Sequence, residues 1–301
     1  MTLPGLVDAA AQKLQQAGVA FGHGTTNARD EAAWLVLWSL ALPLDTPTDD
    51  NAPEDAIVLT ESRVQQALQL VDKRIAQRVP AAYLTREAWL QGFSFYVDER
   101  VIVPRSLIAE LLVDGSIDYW LKETTRSVLD LCTGNGSLAV IAAKVFPDVT
   151  VDAADLSQDA LDVARINVDR HGLADRVRLW QSDGLAGMVS DEGAARTYDL
   201  IICNPPYVNA HSMADLPAEY RAEPRIALDG NQSGGSDGMD FIRTLLKHLP
   251  AHMNPGAVLL LEIGNERPFF EAAFPHLEVV WLETSAGDDQ VLLIPREALN
   301  P

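Results

Sequence analysis

From Ser127 onward, short apolar runs alternate with stretches of helical periodicity, and no other feature limits the possible folds of this chain so sharply. Ser127 to Leu131, Val149 to Ala154 and Val177 to Trp180 read as strands, and Tyr198 to Cys203 as a buried parallel strand. Leu138 to Phe146, stopped by Pro147, reads as a helix. So does Gln158 to His171, opened by a Ser157 cap and closed at Gly172. Such alternation predicts an α/β doubly wound, mostly parallel sheet. Phe241 to Leu249 extends the pattern as a helix and Ala257 to Ile263 as a strand, and Glu278 to Thr284 with Gln290 to Ile294 reads as a closing pair around Gly287-Asp288. The long stretch from Val208 to Gly238 has little periodicity, and loops of that length usually carry function or lack order.

Ahead of this sheet the chain reads as helical. Leu6, Ala10, Leu14 and Ala17 form one stripe ending at Gly18. Ala32, Leu35, Val36 and Leu40 form a second, capped by Asn27 and stopped by Pro43. Val64, Leu68, Val71 and Ile75 form a third, opened near Thr60 and ended before Pro80. A Pro-, Thr- and Asp-rich loop from Pro43 to about Asp55 separates the second and third. Between Ala88 and Val103 the pattern becomes alternating and aromatic around Gly92, a β-hairpin signature. Pro104-Arg105-Ser106 then opens a helix from Leu107 to Leu112. Arg105 is a candidate for a substrate contact or a structural ion pair, and the ion pair is the simpler reading.

Net charge is −20, from 43 acidic and 23 basic residues, and this opposes recognition that depends on neutralising phosphates. A basic protein fits such a surface better than nucleic acid does. No apolar run is long enough to span a bilayer and the N-terminus lacks a signal peptide's pattern, so a cytoplasmic protein without membrane contact is expected. Cys132 and Cys203 have no metal-type spacing and read as reduced, buried residues; no metal site is expected.

The strand Tyr198 to Cys203 ends in Asn204-Pro205-Pro206-Tyr207. Two prolines supply no backbone N–H, so the strand end offers acceptors, the Asn204 side-chain oxygen and the carbonyls of Asn204 and Pro205, beside an aromatic ring. A planar amino group, with two donors and a π-face, is its complement. A Pro-rich strand exit with Tyr207 in the core is the plainer alternative.

Across the sheet, Asp130-Leu131-Cys132-Thr133-Gly134-Asn135-Gly136 joins the first strand to its helix, where open α/β sheets hold their ligand. Gly134 and Gly136 permit a tight turn and close approach of a ligand. With Ala139 they satisfy the loose dinucleotide pattern, so NAD is a candidate. Asp155, at the end of the second strand, is placed to bind two ribose hydroxyls, a feature that NAD shares with S-adenosylmethionine; Asp183, ending the third, could bind an adenine amino group. The fourth strand separates the two cofactors. Hydride transfer needs a polarising acid or base, which Asn204 to Tyr207 does not provide, whereas an acceptor-rich platform suits an amino-group substrate and an electrophilic methyl donor.

These residues resemble the S-adenosylmethionine-dependent methyltransferases. Arg78-Val79-Pro80-Ala81-Ala82-Tyr83-Leu84, the aromatic hairpin, Val101 to Arg105, the glycine loop and Asp215 to Pro224 resemble the HemK-type glutamine N5-methyltransferases over nearly the whole chain. Thr85 to Trp89, Tyr96 to Arg100 and Val103 to Ser106 are similar to the PrmB-type subgroup, which acts on the third large-subunit ribosomal protein. The release-factor type usually has Pro-Arg-Pro-Glu-Thr where this chain has Pro104-Arg105-Ser106-Leu107-Ile108. Two further departures are Cys132, where many methyltransferases have glycine, and a stretch from Asp229 to Gly235 that is longer than usual.

The resemblance implies a Rossmann-like class I methyltransferase sheet over residues 106–301, a β-hairpin linker over 86–105 and a helical substrate-recognition domain over 1–85. It implies S-adenosyl-L-methionine as cofactor, held by Asp130, Cys132, Thr133, Gly134, Asn135, Gly136, Asp155, Leu156, Asp183 and Asn204. Asn204, Pro205, Pro206 and Tyr207 would bind the substrate amide, with Asn204, Pro205 and Tyr207 acting in catalysis. The implied substrate is a basic protein, a large-subunit ribosomal protein. The alternatives are a peptide release factor, a DNA adenine and, outside enzymes, a cofactor-binding scaffold in ribosome assembly. The acidity of the chain and the lack of a basic target-recognition domain argue against DNA.

Overall fold

A computed structural model describes residues 1–49 and 59–299, so the C-terminal part of the expected Pro43 to Asp55 loop lies outside the described residues. The chain opens with α1 (Leu3–Gln16), α2 (Ala28–Ser39), α3 (Glu61–Gln77) and the short α4 (Ala81–Thr85). The side chains of Thr2, Asn27 and Thr60 each accept a backbone N–H of the first turn of α1, α2 and α3, which satisfies donors that the helix itself cannot. Leu6, Ala10 and Leu14 of α1 meet Leu35 and Val36 of α2 and Val71 of α3 in one core. α2 ends at Ser39, ahead of Pro43.

A hairpin of β1 (Ala88–Leu90) and β2 (Phe93–Phe95) follows, turning at Gln91 and Gly92, both at positive φ as a two-residue hairpin turn requires. The alternating pattern suggested pairing as far as Val103, but the ladder stops at Phe95. Val97, Val101 and Val103 instead continue in irregular backbone and pack with the helical core and with Ala160 and Val163, which explains their apolar character without a strand.

The remainder is α5 (Ile108–Val113), β3 (Ser127–Leu131), α6 (Ser137–Val145), β4 (Thr150–Asp155), α7 (Gln158–Arg170), β5 (Val177–Gln181), β6 (Tyr198–Cys203), α8 (Ala210–Asp215), α9 (Ala218–Arg221), α10 (Asp240–His248), β7 (Met253–Glu262), α11 (Arg267–Ala273), β8 (Val280–Thr284) and β9 (Gly287–Pro295). Seven strands form one sheet in the order β5-β4-β3-β6-β7-β9-β8, parallel from β5 through β7, with β9 antiparallel to both neighbours. One face is covered by α5 and α6 over Val128, Val151 and Leu200, and the other by α10 and Phe270 over Leu129, Leu131 and Ile201. Strand order reverses between β3 and β6, which opens a crevice at their C-terminal ends. The stretch after Tyr207, nearly featureless in sequence, holds α8, α9 and a 3-10 turn at Arg225–Ala227. No helix among the described residues is long and apolar enough to cross a membrane.

Candidate active site at the sheet switch point

The crevice is a cleft of about 740 Å³ counted to its open mouth. Its floor comes from the strand ends: Cys132 and Gly134 after β3, Asp155 and Leu156 after β4, Asp183 after β5, and Asn204 and Pro206 after β6. Two further walls had no counterpart in the sequence reading. Arg100, Val101 and Ile102 of the linker close one side; Pro224, Ile226, Ala227 and Phe241 close the other. Apolar periodicity and glycine spacing report on strands and turns, and neither marks residues that reach a site from irregular backbone.

The glycine loop is built around Asp130, whose side chain is wholly buried under it. Its Oδ2 accepts from the Thr133 hydroxyl at 2.5 Å and from Ala139 N at 2.9 Å, while Oδ1 has no partner. Burial pushes its carboxyl up to about 7 despite those two donors. Asp130, Thr133, Asn135 and Gly136, expected at the cofactor, are thus not in the cleft lining; they shape the loop that is. The two glycines differ. A Cβ on Gly134 would meet nothing within 4 Å, which leaves its backbone open to a ligand, whereas one on Gly136 would stand 3.1 Å from the Ala164 Cβ, so this glycine serves the packing of α6 on α7. Cys132 takes the left-handed conformation at φ 61°. Contact with the Cys203 thiol, then burial, raises its pKa, and both cysteines are free.

Asp155 ties two loops together. Its Oδ2 accepts from Gly134 N at 2.9 Å and its Oδ1 from Ser157 N at 2.9 Å, while Ser157 itself caps α7 by accepting from Ala160 N at 3.2 Å. Burial raises the Asp155 pKa above that of an ordinary carboxyl. Asp183 is exposed on the cleft lining, and Leu156, apolar yet 46% exposed, stands after Asp155 on the same lining.

Asn204 is half-buried and borders the cleft with Pro206. Pro205 is buried and, like Tyr207, lies outside that lining. The Tyr207 ring rests on Gly264 of the turn after β7, where a Cβ would fall 2.7 Å from Cε2. Burial, then the carboxylates of Glu262, Glu266 and Glu223, raise the Tyr207 pKa, with Arg105 opposing. Glu262 accepts from the Ser106 hydroxyl at 2.6 Å and Leu107 N at 2.9 Å, and burial brings it up to about 7. Past Tyr207 the backbone is held by Val208 N donating to Leu228 O at 2.9 Å and by Asn209 Nδ2 donating to both Glu266 oxygens at 2.8 and 2.9 Å. Arg105 makes the ion pair that its position suggested, donating to both oxygens of Glu223 at 2.7 and 2.8 Å.

Comparison with known proteins gives this geometry a family. The family model described as Methyltransferase small domain matches residues 112–220. The ribosomal protein uL3 glutamine methyltransferase of Burkholderia pseudomallei is 52% identical over 296 residues, 97% of this chain and 94% of that protein. The protein of the same name in Bordetella pertussis is 50% identical over 301 residues, 99% and 96% of the two chains. Among solved structures, the human METTL16 catalytic domain in complex with an RNA hairpin is similar in fold, with TM-score 0.50 and 13% identity over 81% of this chain and 84% of that one. With half its residues shared along nearly the full length of such relatives, the chain belongs to the ribosomal protein uL3 glutamine methyltransferase family.

Proposed function

We propose that this protein transfers the methyl group of S-adenosyl-L-methionine to the side-chain amide nitrogen of a glutamine in the ribosomal protein uL3. The observation that carries the reading is that Asn204, the end of an acceptor-rich strand, borders the same cleft as the two acids Asp155 and Asp183. The donor set fits the cofactor. Asp155 would accept from the ribose hydroxyls, Asp183 from the adenine amino group, and Leu156 and Phe241 offer apolar surface to a flat ring. The open backbone face at Gly134 leaves room for close approach.

When bound, the sulfonium supplies an electrophilic methyl group; the chain has to supply a nucleophile in the right posture. An amide nitrogen attacks poorly because its lone pair is delocalised into the carbonyl, so orientation and stabilisation of the pyramidal, positively charging state carry the catalysis. The Asn204 side-chain oxygen and the Pro205 carbonyl would accept the two amide hydrogens. The Tyr207 ring would stack on the amide and favour the growing positive charge through its π-face. The charged product nitrogen loses its proton without a strong base.

The surface charge of −20 suits a basic ribosomal protein, residues 1–85 would help to capture it, and the work would take place in the cytoplasm. Labelled S-adenosylmethionine incubated with the purified enzyme and uL3, a release factor or duplex DNA tests the reading: label in uL3 glutamine is expected, and label in either other substrate alone would overturn it. Asn204→Ala should lower turnover by about 100- to 1,000-fold, as removal of a hydrogen-bonding group specific to the transition state does elsewhere. Cofactor affinity by calorimetry should stay near that of the unaltered enzyme.

A further inference from the structure

Between Tyr207 and the cleft wall at Pro224 the chain leaves the sheet, and two of its carboxylates turn inward. Glu219 on α9, with no exposed surface, accepts from Arg74 Nη1 at 3.0 Å and from Arg78 Nε and Nη2 at 2.5 and 3.1 Å. Arg74, also fully buried, donates through Nε to Glu31 at 2.9 Å and through Nη2 to Ala20 O at 2.8 Å. One turn on, Glu223 accepts from Arg105 and from Val103 N at 2.9 Å, and its Oε2 lies 3.5 Å from His23 Nε2. Tyr220, between them, packs its ring tilted against His23 at 4.2 Å between ring centroids and donates to Phe21 O at 3.4 Å. A Cβ on Gly22 would collide with its hydroxyl.

Burying this many charges is costly, and close pairing offsets the cost only in one geometry; apolar side chains would join two surfaces at least as stably. What the network adds is orientation. It joins the helical unit, through residues 20–31 and 74–78, and the linker, through Val103 and Arg105, to the one segment that runs from the acceptor Tyr207 to the cleft wall at Pro224, Ile226 and Ala227.

We propose that the helical unit is a working part of the methyl-transfer site, in which Glu219 and Glu223 are positioning residues that hold the wall of the cofactor cleft in register with Asn204. The unit therefore acts on cofactor binding and turnover, and not only on capture of the protein substrate. The turnover arm rests on the uL3 reading above; the cofactor arm needs no protein substrate.

Glu223→Gln in the full-length enzyme keeps size and removes the charge that faces Arg105. Well below the variant's melting temperature, the cofactor Kd should rise about 10-fold and kcat on uL3 should fall about 10- to 100-fold, the scale of an ångström-sized misplacement. KM for uL3 should stay within about twofold, since the docking surface is untouched. If that variant does not fold, Arg78→Met removes the partner that is 35% exposed and leaves Arg74 on Glu219, and the same pattern should appear at about threefold. Unchanged cofactor Kd and kcat in a folded variant of lower stability would overturn the proposal, because the network would then be structural alone. A raised KM with kcat intact would overturn it too, leaving the helical unit as a docking surface. Failure of the unaltered enzyme to label uL3 would count against the substrate reading, and the cofactor Kd would still decide this one.

Discussion

Asp130 and Glu262, at the C-terminal ends of β3 and β7, are met by hydroxyls and backbone N–H groups, whereas Glu219 and Glu223, in the loop after β6, are met by guanidinium groups. All four side chains are nearly free of solvent, yet their acidities diverge. Burial carries Asp130 and Glu262 up to about 7. Burial acts on the other pair in the same sense, but Arg78 and Arg74 bring Glu219 down to about 2, and Arg105 with His23 brings Glu223 down to about 2. The difference teaches what each region is prepared for. The loop anchor is electrically complete and keeps its charges, while the acids at the two strand ends, held by neutral donors, are close to half protonated at neutral pH.

The largest test of that contrast is Arg74→Met, which leaves Glu31 and Glu219 buried without their shared cation. We expect a loss of about 3–5 kcal/mol in urea unfolding, the usual result of breaking a buried pair from one side. A loss below about 1 kcal/mol would mean that Arg78 alone compensates Glu219 and that buried Glu31 takes up a proton in place of its partner. Next comes Asp155→Ala, at the cleft. Hydrogen bonds to a carboxylate put the expected fall in cofactor affinity at about 10- to 100-fold by calorimetry, and equal affinity would remove Asp155 from the ribose site.

Acidity separates the two regions more gently. Glu219 and Glu223 have depressed values, so their stabilisation is complete above the ordinary glutamate value of 4.5 and is lost as pH falls from there through about 2. Asp130 and Glu262 have raised values, so theirs is complete below the ordinary values of 3.8 and 4.5 and is lost as pH rises through about 7. From these groups alone, stability followed by chemical unfolding across pH should be greatest near about pH 4.5 and fall on both sides. Arg78→Met should flatten the acid limb only. The smallest effect is expected of Asp130→Asn. Near neutral pH it replaces a carboxyl already half protonated, and a change within about 1 kcal/mol at pH 7, with a shallower slope between pH 5 and 7, would fit.

The same contrast separates what could be read from the chain from what could not. That Gly134, Asp155 and Asn204 stand at the strand ends that border the cleft was legible, because each belongs to a short run whose chemistry is local: a strand that stops, a turn that needs glycine, an acid at a strand end; that Thr133, Asn135, Pro205 and Tyr207 lie outside the lining was not. The anchor was not. Arg74 and Glu219 are 145 residues apart and Arg105 and Glu223 are 118 apart, and each in its own window looks like an ordinary surface charge on a helix or loop. Arg105 was anticipated as an ion pair, but its partner had no signature. The hairpin was placed correctly and drawn too long, because Val97, Val101 and Val103 alternate for the sake of the helical core and not of a ladder.

The 145-residue separation of Arg74 and Glu219 also has a consequence for synthesis. On an elongating ribosome the three N-terminal helices emerge long before the segment that completes their polar core. During that interval Arg74 has Glu31 as its carboxylate partner, and Glu219 arrives only after four strands of the sheet have been made. Contacts of such long sequence separation form late, after the chain has already met the cost of closing a large loop. The helical unit should therefore reach its final rigidity as one of the last events of folding, in step with assembly of the cleft it helps to hold.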